Sequence, residues 1–219
     1  IIEYSSHEQN DCIKDLIRLE WKNRRHFRAT SLSKYLAINH PCWSEEILTK
    51  FDISGNDLLS VLLDISESYR SRGYNKKSES MLFYALDVAG EHDASIRWAL
   101  SKFYEQTGQV NRHLFWAQEA SKRTKSVQSH TYVAQILLNN SRLQDSEHEI
   151  SMALSLSPND LQALLVAADI KLIQNDYLSS FAFSKLAAIL HPLSNRASSR
   201  LKDDLCSLID FSSRDECRK

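Results

Sequence analysis

The side chains able to do acid–base, nucleophilic or metal chemistry are scattered along this sequence. Its eight histidines stand at 7, 26, 40, 92, 113, 130, 148 and 191 and form no His-x-x-x-His pair and no His-Glu-x-x-His zinc motif. Glu147-His148-Glu149 is a compact run of metal-compatible residues, yet consecutive residues on a helix point in different directions and cannot share one ion. Cys12, Cys42, Cys206 and Cys217 match neither zinc nor redox spacing and read as reduced thiols of minor structural weight. There is no Gly-x-Ser-x-Gly elbow, and with only four glycines a loop that cradles phosphate in its backbone is not expected. The sequence thus predicts no catalytic residue, no metal and no cofactor.

Binding chemistry has more support. Between positions 14 and 34 seven cations face only Asp15 and Glu20, a net charge of +5. Lys14, Arg18, Lys22 and Arg25 follow at three- and four-residue steps, with Arg28 next, and so form one cationic stripe if the segment is helical. Trp21 and Phe27 are interleaved. An acidic peptide, a phosphate-rich ligand, nucleic acid or a membrane surface would suit such a stripe; a solvated outer face is the other reading. Over the whole chain, 27 basic and 28 acidic residues leave a net charge of −1, which argues neither for nucleic acid nor for membrane, and a nucleic-acid partner is not the expected one.

The elements that must position these residues are helices. Four glycines and three prolines in 219 residues are too few for the turns of a β-fold, and 42% hydrophobic content is enough for a core. The apolar runs are short and interrupted, so no membrane span is expected. No signal peptide is visible, and the expected compartment is the cytoplasm. The start at Ile1 suggests a fragment or processed product.

A spacing of about 34 residues organises the chain. Tyr69, Gly73 and Ala85 are followed 35 residues later by Tyr104, Gly108 and Ala120; Ala153 and Pro158 are followed 34 residues later by Ala187 and Pro192. Asp57 and Asp160 are expected to cap first helices, and Gly73 to supply a left-handed helix end. Upstream, Ile13, Leu16, Ile17 and Glu20 suggest one helix, and Leu32, Tyr35 and Leu36 another, ended by His40-Pro41. This gives a division into a degenerate repeat with an inserted helix near 44–50 (1–56), four regular repeats (57–192) and a terminal segment (193–219). In that segment Leu201, Leu205, Leu208 and Ile209 share a face expected to cap the last repeat, followed by a frayed tail from Phe211.

On these residues, with Ala134 and Ala168, the sequence resembles the tetratricopeptide-repeat family over about 57–192 and weakly over 10–41. The resemblance implies an all-α, right-handed α-α superhelix: a solenoid of antiparallel helix pairs, closed here by the terminal helix. The first-helix tryptophan of the family is replaced by Leu62, Arg97, His130 and Leu164. Early in the second helix Ser78, Ser146 and Ser180 stand at a small-residue position, and bulky His113 there predicts looser packing.

The resemblance further implies that a concave groove is lined by first helices: Leu63, Glu67 and Arg70; Trp98, Lys102 and Glu105; Thr131, Gln135 and Asn139, with Tyr132 beside them; Leu165, Asp169 and Leu172. Some family members hold a chaperone tail's carboxylate in a Lys/Asn/Arg clamp. Here only Lys102 fits that chemistry, so no such clamp is expected. Trp98 and Lys102, four residues apart, offer an aromatic anchor beside a cation, unless Trp98 is core. The expected function is a non-catalytic scaffold that binds a peptide or helix of a protein partner. The alternatives are a helical module of a larger bacterial enzyme, such as a glycosyltransferase or other polysaccharide-biosynthesis enzyme, and an anionic-ligand or nucleic-acid binder using the basic stripe.

Overall fold

In the computed structural model of the chain, the described residues are 15–20, 22–23, 26–39, 55–90 and 93–216. They form a helical stretch over 15–20, then α1 (His26–Asn39), α2 (Gly55–Ser71), α3 (Asn75–Ala89), α4 (Ala94–Gln106) and α5 (Val110–Thr124). There follow α6 (Val127–Asn139), α7 (Leu143–Leu156), α8 (Leu161–Ile173), α9 (Tyr177–Leu190) and α10 (Asn195–Glu216). Two compact units contain these helices, residues 1–113 and 114–219. Lys14, Trp21, Arg24, Arg25 and the inserted helix near 44–50 lie outside the described residues, as do Cys12, Cys42, Cys217 and His40-Pro41.

One turn joins each helix pair from α2/α3 to α8/α9. Gly73, Gly108, Ser141 and Asn175 all have left-handed φ, between 59° and 81°. Each donates its amide to a carbonyl three residues back, and the next residue donates to one five residues back: Tyr74 to Tyr69, Gln109 to Tyr104, Arg142 to Leu137, Asp176 to Lys171. These paired bonds satisfy the last carbonyls of the first helix and reverse the chain sharply. Helix starts are fixed as locally. Asp93, Asp160 and Asp176 accept bonds from first-turn amides, and Ser126 makes a reciprocal capping box with Ser129.

Buried polar contacts then lock the two helices of each pair, always between residues twelve apart. Ser146 Oγ donates to the Ala134 carbonyl at 2.7 Å, and Ser180 Oγ to the Ala168 carbonyl at 2.9 Å. In the first pair Ser66 Oγ reaches the Ser78 carbonyl at 3.2 Å and its hydroxyl at 2.9 Å. The expected looseness at His113 is not found. His113 is buried, and its Nδ1 lies 2.9 Å from the Ser101 carbonyl, while Ser101 Oγ donates to the His113 carbonyl at 3.2 Å. The ring does the work of the serine hydroxyl instead of prying the helices apart.

Apolar packing completes each unit. Ile17 and Leu36 join Leu58, Leu62, Ala85 and Ile96 in one cluster, which ties the irregular N-terminal segment to the first regular pair. In the other unit Ala134, Ile150, Ala153, Val166 and Ile170 form a second cluster, and Leu164, Leu165, Ala187 and Ala197 a third. Ala85, Ala120, Ala153 and Ala187 are wholly buried, which allows helices to approach closely.

Several expectations are corrected. Helix α2 begins at Gly55, so Asp57 lies within its first turn and is not its cap; an acid there suits the positive end of the helix. Of the residues named for the first helix, Ile17 and Glu20 are buried and Leu16 is exposed. The tail is not frayed from Phe211, because α10 continues to Glu216. Of the apolar face expected on α10, Leu201 and Leu208 are half-buried in one row with the buried Ala197 and Asp204, while Leu205 and Ile209 are exposed. Among the described residues no helix is long and apolar enough to cross a membrane.

Two stability measurements test this account. Ser146→Ala should cost about 1 kcal/mol, because the Ala134 carbonyl belongs to the helix ladder and is not orphaned. Ser146→Leu should cost about 3 kcal/mol, because there is no room between the helices; equal urea midpoints for the two variants would refute the close approach. Ser141→Gly should stabilise by about 1 kcal/mol by relieving the left-handed φ.

Candidate functional site

In the N-terminal unit the first helices α2 and α4 enclose a cavity of 330 Å³. Helical spacing places Leu63, Glu67 and Arg70 along one edge, with Lys102 across from them on α4. Leu82, Ala99 and Phe103 give the cavity an apolar floor, and Asp64, Ser66 and Gln106 complete its wall. Four residues expected in the groove are thus brought together. Trp98 is half-buried and stands outside the cavity wall, and Glu105 is exposed.

The charges here are unequally engaged. Arg70 Nε donates to Glu67 Oε2 at 2.9 Å, and Arg70 Nη2 binds the other carboxylate oxygen. That fork holds the Glu67 carboxyl below its usual range, with Lys102 adding attraction, and raises Arg70 in turn. Lys102 is exposed and makes no hydrogen bond or ion pair with a described residue.

The C-terminal unit has a second cavity, of 450 Å³, between α8 and α10. Leu165 and Asp169, both expected, line it with Asn195, Arg196, Ser199, Arg200 and Asp203. Arg200 binds Asp169 through Nη1, and its Nε lies 3.1 Å from Asp204 Oδ1. Asp204 is buried; its Oδ2 accepts from Ser184 Oγ and lies 3.0 Å from Ser180 Oγ, whose one proton it shares with the Ala168 carbonyl. Burial pushes the Asp169 carboxyl above its ordinary range, against the pull of Arg200 and with the help of the Asp204 charge. Sequence reasoning missed Arg200 and Asp204. The available signal was Ser180 and Ser184, one helical turn apart on the face of α9 that should pack on a neighbour.

Other expected residues are dispersed. Thr131 is buried, so it belongs to the helix packing and not to an open groove. Gln135 is half-buried and accepts weakly from Gln162 Nε2 at 3.5 Å; Tyr132 and Asn139 are exposed, and none of these three lines either cavity. Of the basic stripe, Arg18 is paired with Asp15 at 2.8 Å and Lys22 is exposed; the side chain of Arg28 lies outside the described residues. No group of three metal-ligating side chains occurs among the described residues.

No protein-family model matches the sequence, and no curated protein matches it. Solved structures do. A tetratricopeptide repeat protein from Parabacteroides merdae superposes with a TM-score of 0.60 at 12% identity, over 90% of this chain and 73% of that one. YrrB, described as a tetratricopeptide-repeat protein with an unusual peptide-binding site, gives 0.57 at 12% identity, over 87% and 90%. MamA gives 0.54 at 11% identity, over 79% and 92%.

The chain has the tetratricopeptide-repeat fold. Its departures from the repeat pattern are filled in kind. Leu62 and Leu164 are buried where the family places tryptophan, and Arg97 is buried at the third such position. At the fourth, His130 Nδ1 meets Glu149 Oε2 at 2.8 Å and joins α6 to α7 through a polar contact. Tyr69 and Tyr104 keep the repeat's buried aromatic; burial and the Glu79 carboxylate raise the Tyr104 phenol to about 12.

Two outcomes test the second cavity. Arg200→Met removes the partner of Asp169 and the cation beside buried Asp204, and should cost about 3 kcal/mol at neutral pH. The Asp169 carboxyl is raised in the folded state, so its stabilising contribution is complete below the ordinary value of 3.8 and is lost as pH rises through the folded value. Wild type should therefore gain on Asp169→Asn in urea denaturation as pH is lowered from neutral; a constant difference would refute the assignment.

Proposed function

We propose that this chain is a non-catalytic protein-interaction module that takes a peptide segment of a partner on its first-helix face. The observation that carries the reading is the α2–α4 cavity, where an apolar floor of Leu82, Ala99 and Phe103 lies beside the unengaged ammonium of Lys102. An apolar side chain in the floor removes surface from water, and a neighbouring carboxylate on the peptide meets Lys102. Glu67 and Arg70 neutralise each other and form a polar rim. A segment pairing an apolar with an acidic residue is the ligand chemistry this arrangement selects. One lysine does not make a carboxylate clamp, so a side-chain carboxylate within the peptide fits better than a chain terminus. The peptide-binding site of YrrB supports the general role.

Selection of a displayed random-peptide library on the purified chain tests this. Enriched peptides should carry adjacent apolar and acidic residues and lose about tenfold or more in affinity to Lys102→Glu. Leu63→Arg should weaken them similarly, with helicity by circular dichroism unchanged. Peptides that bind both variants as well as wild type would place the site elsewhere.

A further inference from the structure

We propose that the outer face of α9 is a self-association surface, on which a second copy of this chain packs the same helix antiparallel. In α9, Lys185 is the one charged residue among 14. Its inward face, Ser180, Ser184 and Ala187, is buried against its own unit. Its outward face is nonetheless apolar: Leu178 is 70% exposed, Ile189 64% and Leu186 40%, and Leu193 in the following turn is 96% exposed. With Leu190, these side chains expose about 500 Å² per copy, near the upper end of what a monomer leaves in water. Ala182 and the Lys185 stem between them bring the face towards the ~800 Å² per partner of a standard interface. A single cation gives no basic rim of the kind an anionic lipid surface requires.

The order of residues favours a second copy as the occupant. Leu178, Ala182, Lys185 and Ile189 follow at steps of four, three and four residues, the spacing of a seam between two helices, and Leu193 stands in the turn just beyond the helix end. A two-fold axis between Lys185 and Leu186 sets Ala182 opposite Ile189 of the second copy and brings Leu178 towards the turn that carries its Leu193. Small then faces large on both sides of the axis, as a self-complementary interface requires. A parallel pairing would set Ala182 against Ala182 and Ile189 against Ile189, a gap beside a clash. Lys185 lies near the axis, where its stem covers apolar surface and its ammonium reaches the rim.

Sedimentation velocity of the whole 219-residue chain, from about 1 to 100 µM, should show a reversible dimer of twice 25.2 kDa. Ile189→Glu and Leu178→Glu should each raise its dissociation constant about tenfold or more without loss of helicity, since both side chains lie outside the core. With the four native cysteines changed to serine, Lys185→Cys should form a disulfide-linked dimer under mild oxidation, and Lys122→Cys on α5 should not. A monomer throughout the range, a dimer indifferent to Ile189→Glu, or equal cross-linking through both cysteines would overturn the proposal.

Discussion

The structure depends on a hydrogen bond that recurs twelve residues apart inside each regular helix pair. A hydroxyl, or in one pair an imidazole, crosses between two helices and bonds to a backbone carbonyl on the other side. Reaching that carbonyl requires the helix axes to be close, so the residues around the contact must be small. The wholly buried alanines at 85, 120, 153 and 187 meet that demand. The left-handed turns at Gly73, Gly108, Ser141 and Asn175 return the second helix in register for it. Because the bonded carbonyls also belong to their own helix ladders, each contact adds specificity of register more than gross stability.

That register decides what faces outward. With the second helix held against one side of the first, residues at three- and four-residue steps on the opposite side are left open. In the N-terminal unit this exposes Leu63, Glu67 and Arg70 on α2 and Lys102 on α4. In the C-terminal unit the equivalent row meets α10, where Arg200 sits between Asp169 and Asp204. One cavity therefore keeps an uncommitted cation, while the charges of the other are largely engaged with each other. The repeat supplies the same scaffold twice, and substitutions on its open row make two different sites.

The legible part of the fold was the local part. Turn residues, caps at Asp160 and the periodic alanines are set by backbone conformation and helix periodicity within a dozen residues, and they fell where expected. The row of Leu63, Glu67, Arg70 and Lys102 came from the family resemblance, and the α2–α4 cavity brings these four together. His113 misled because its bulk was visible in sequence but the Ser101 carbonyl it would meet was not. The terminal helix was legible in part: Leu201 and Leu208 are half-buried as an apolar row should be, but Asp204 buried in that row beside Ser180 and Ser184 was not visible in its own sequence.

By itself the sequence determined an all-helical chain built of paired helices at a period near 34, because helix ends, turns and apolar spacing are local properties of the polypeptide. It also determined which residues share a row on each helix. Only the tertiary structure decided which rows close into cavities, which charges neutralise one another, and which apolar faces remain in water. The cavities and the Arg200–Asp169 pair depend on contacts between residues far apart in the chain, where the strength of an interaction is set by the partner and its burial, not by the residue alone.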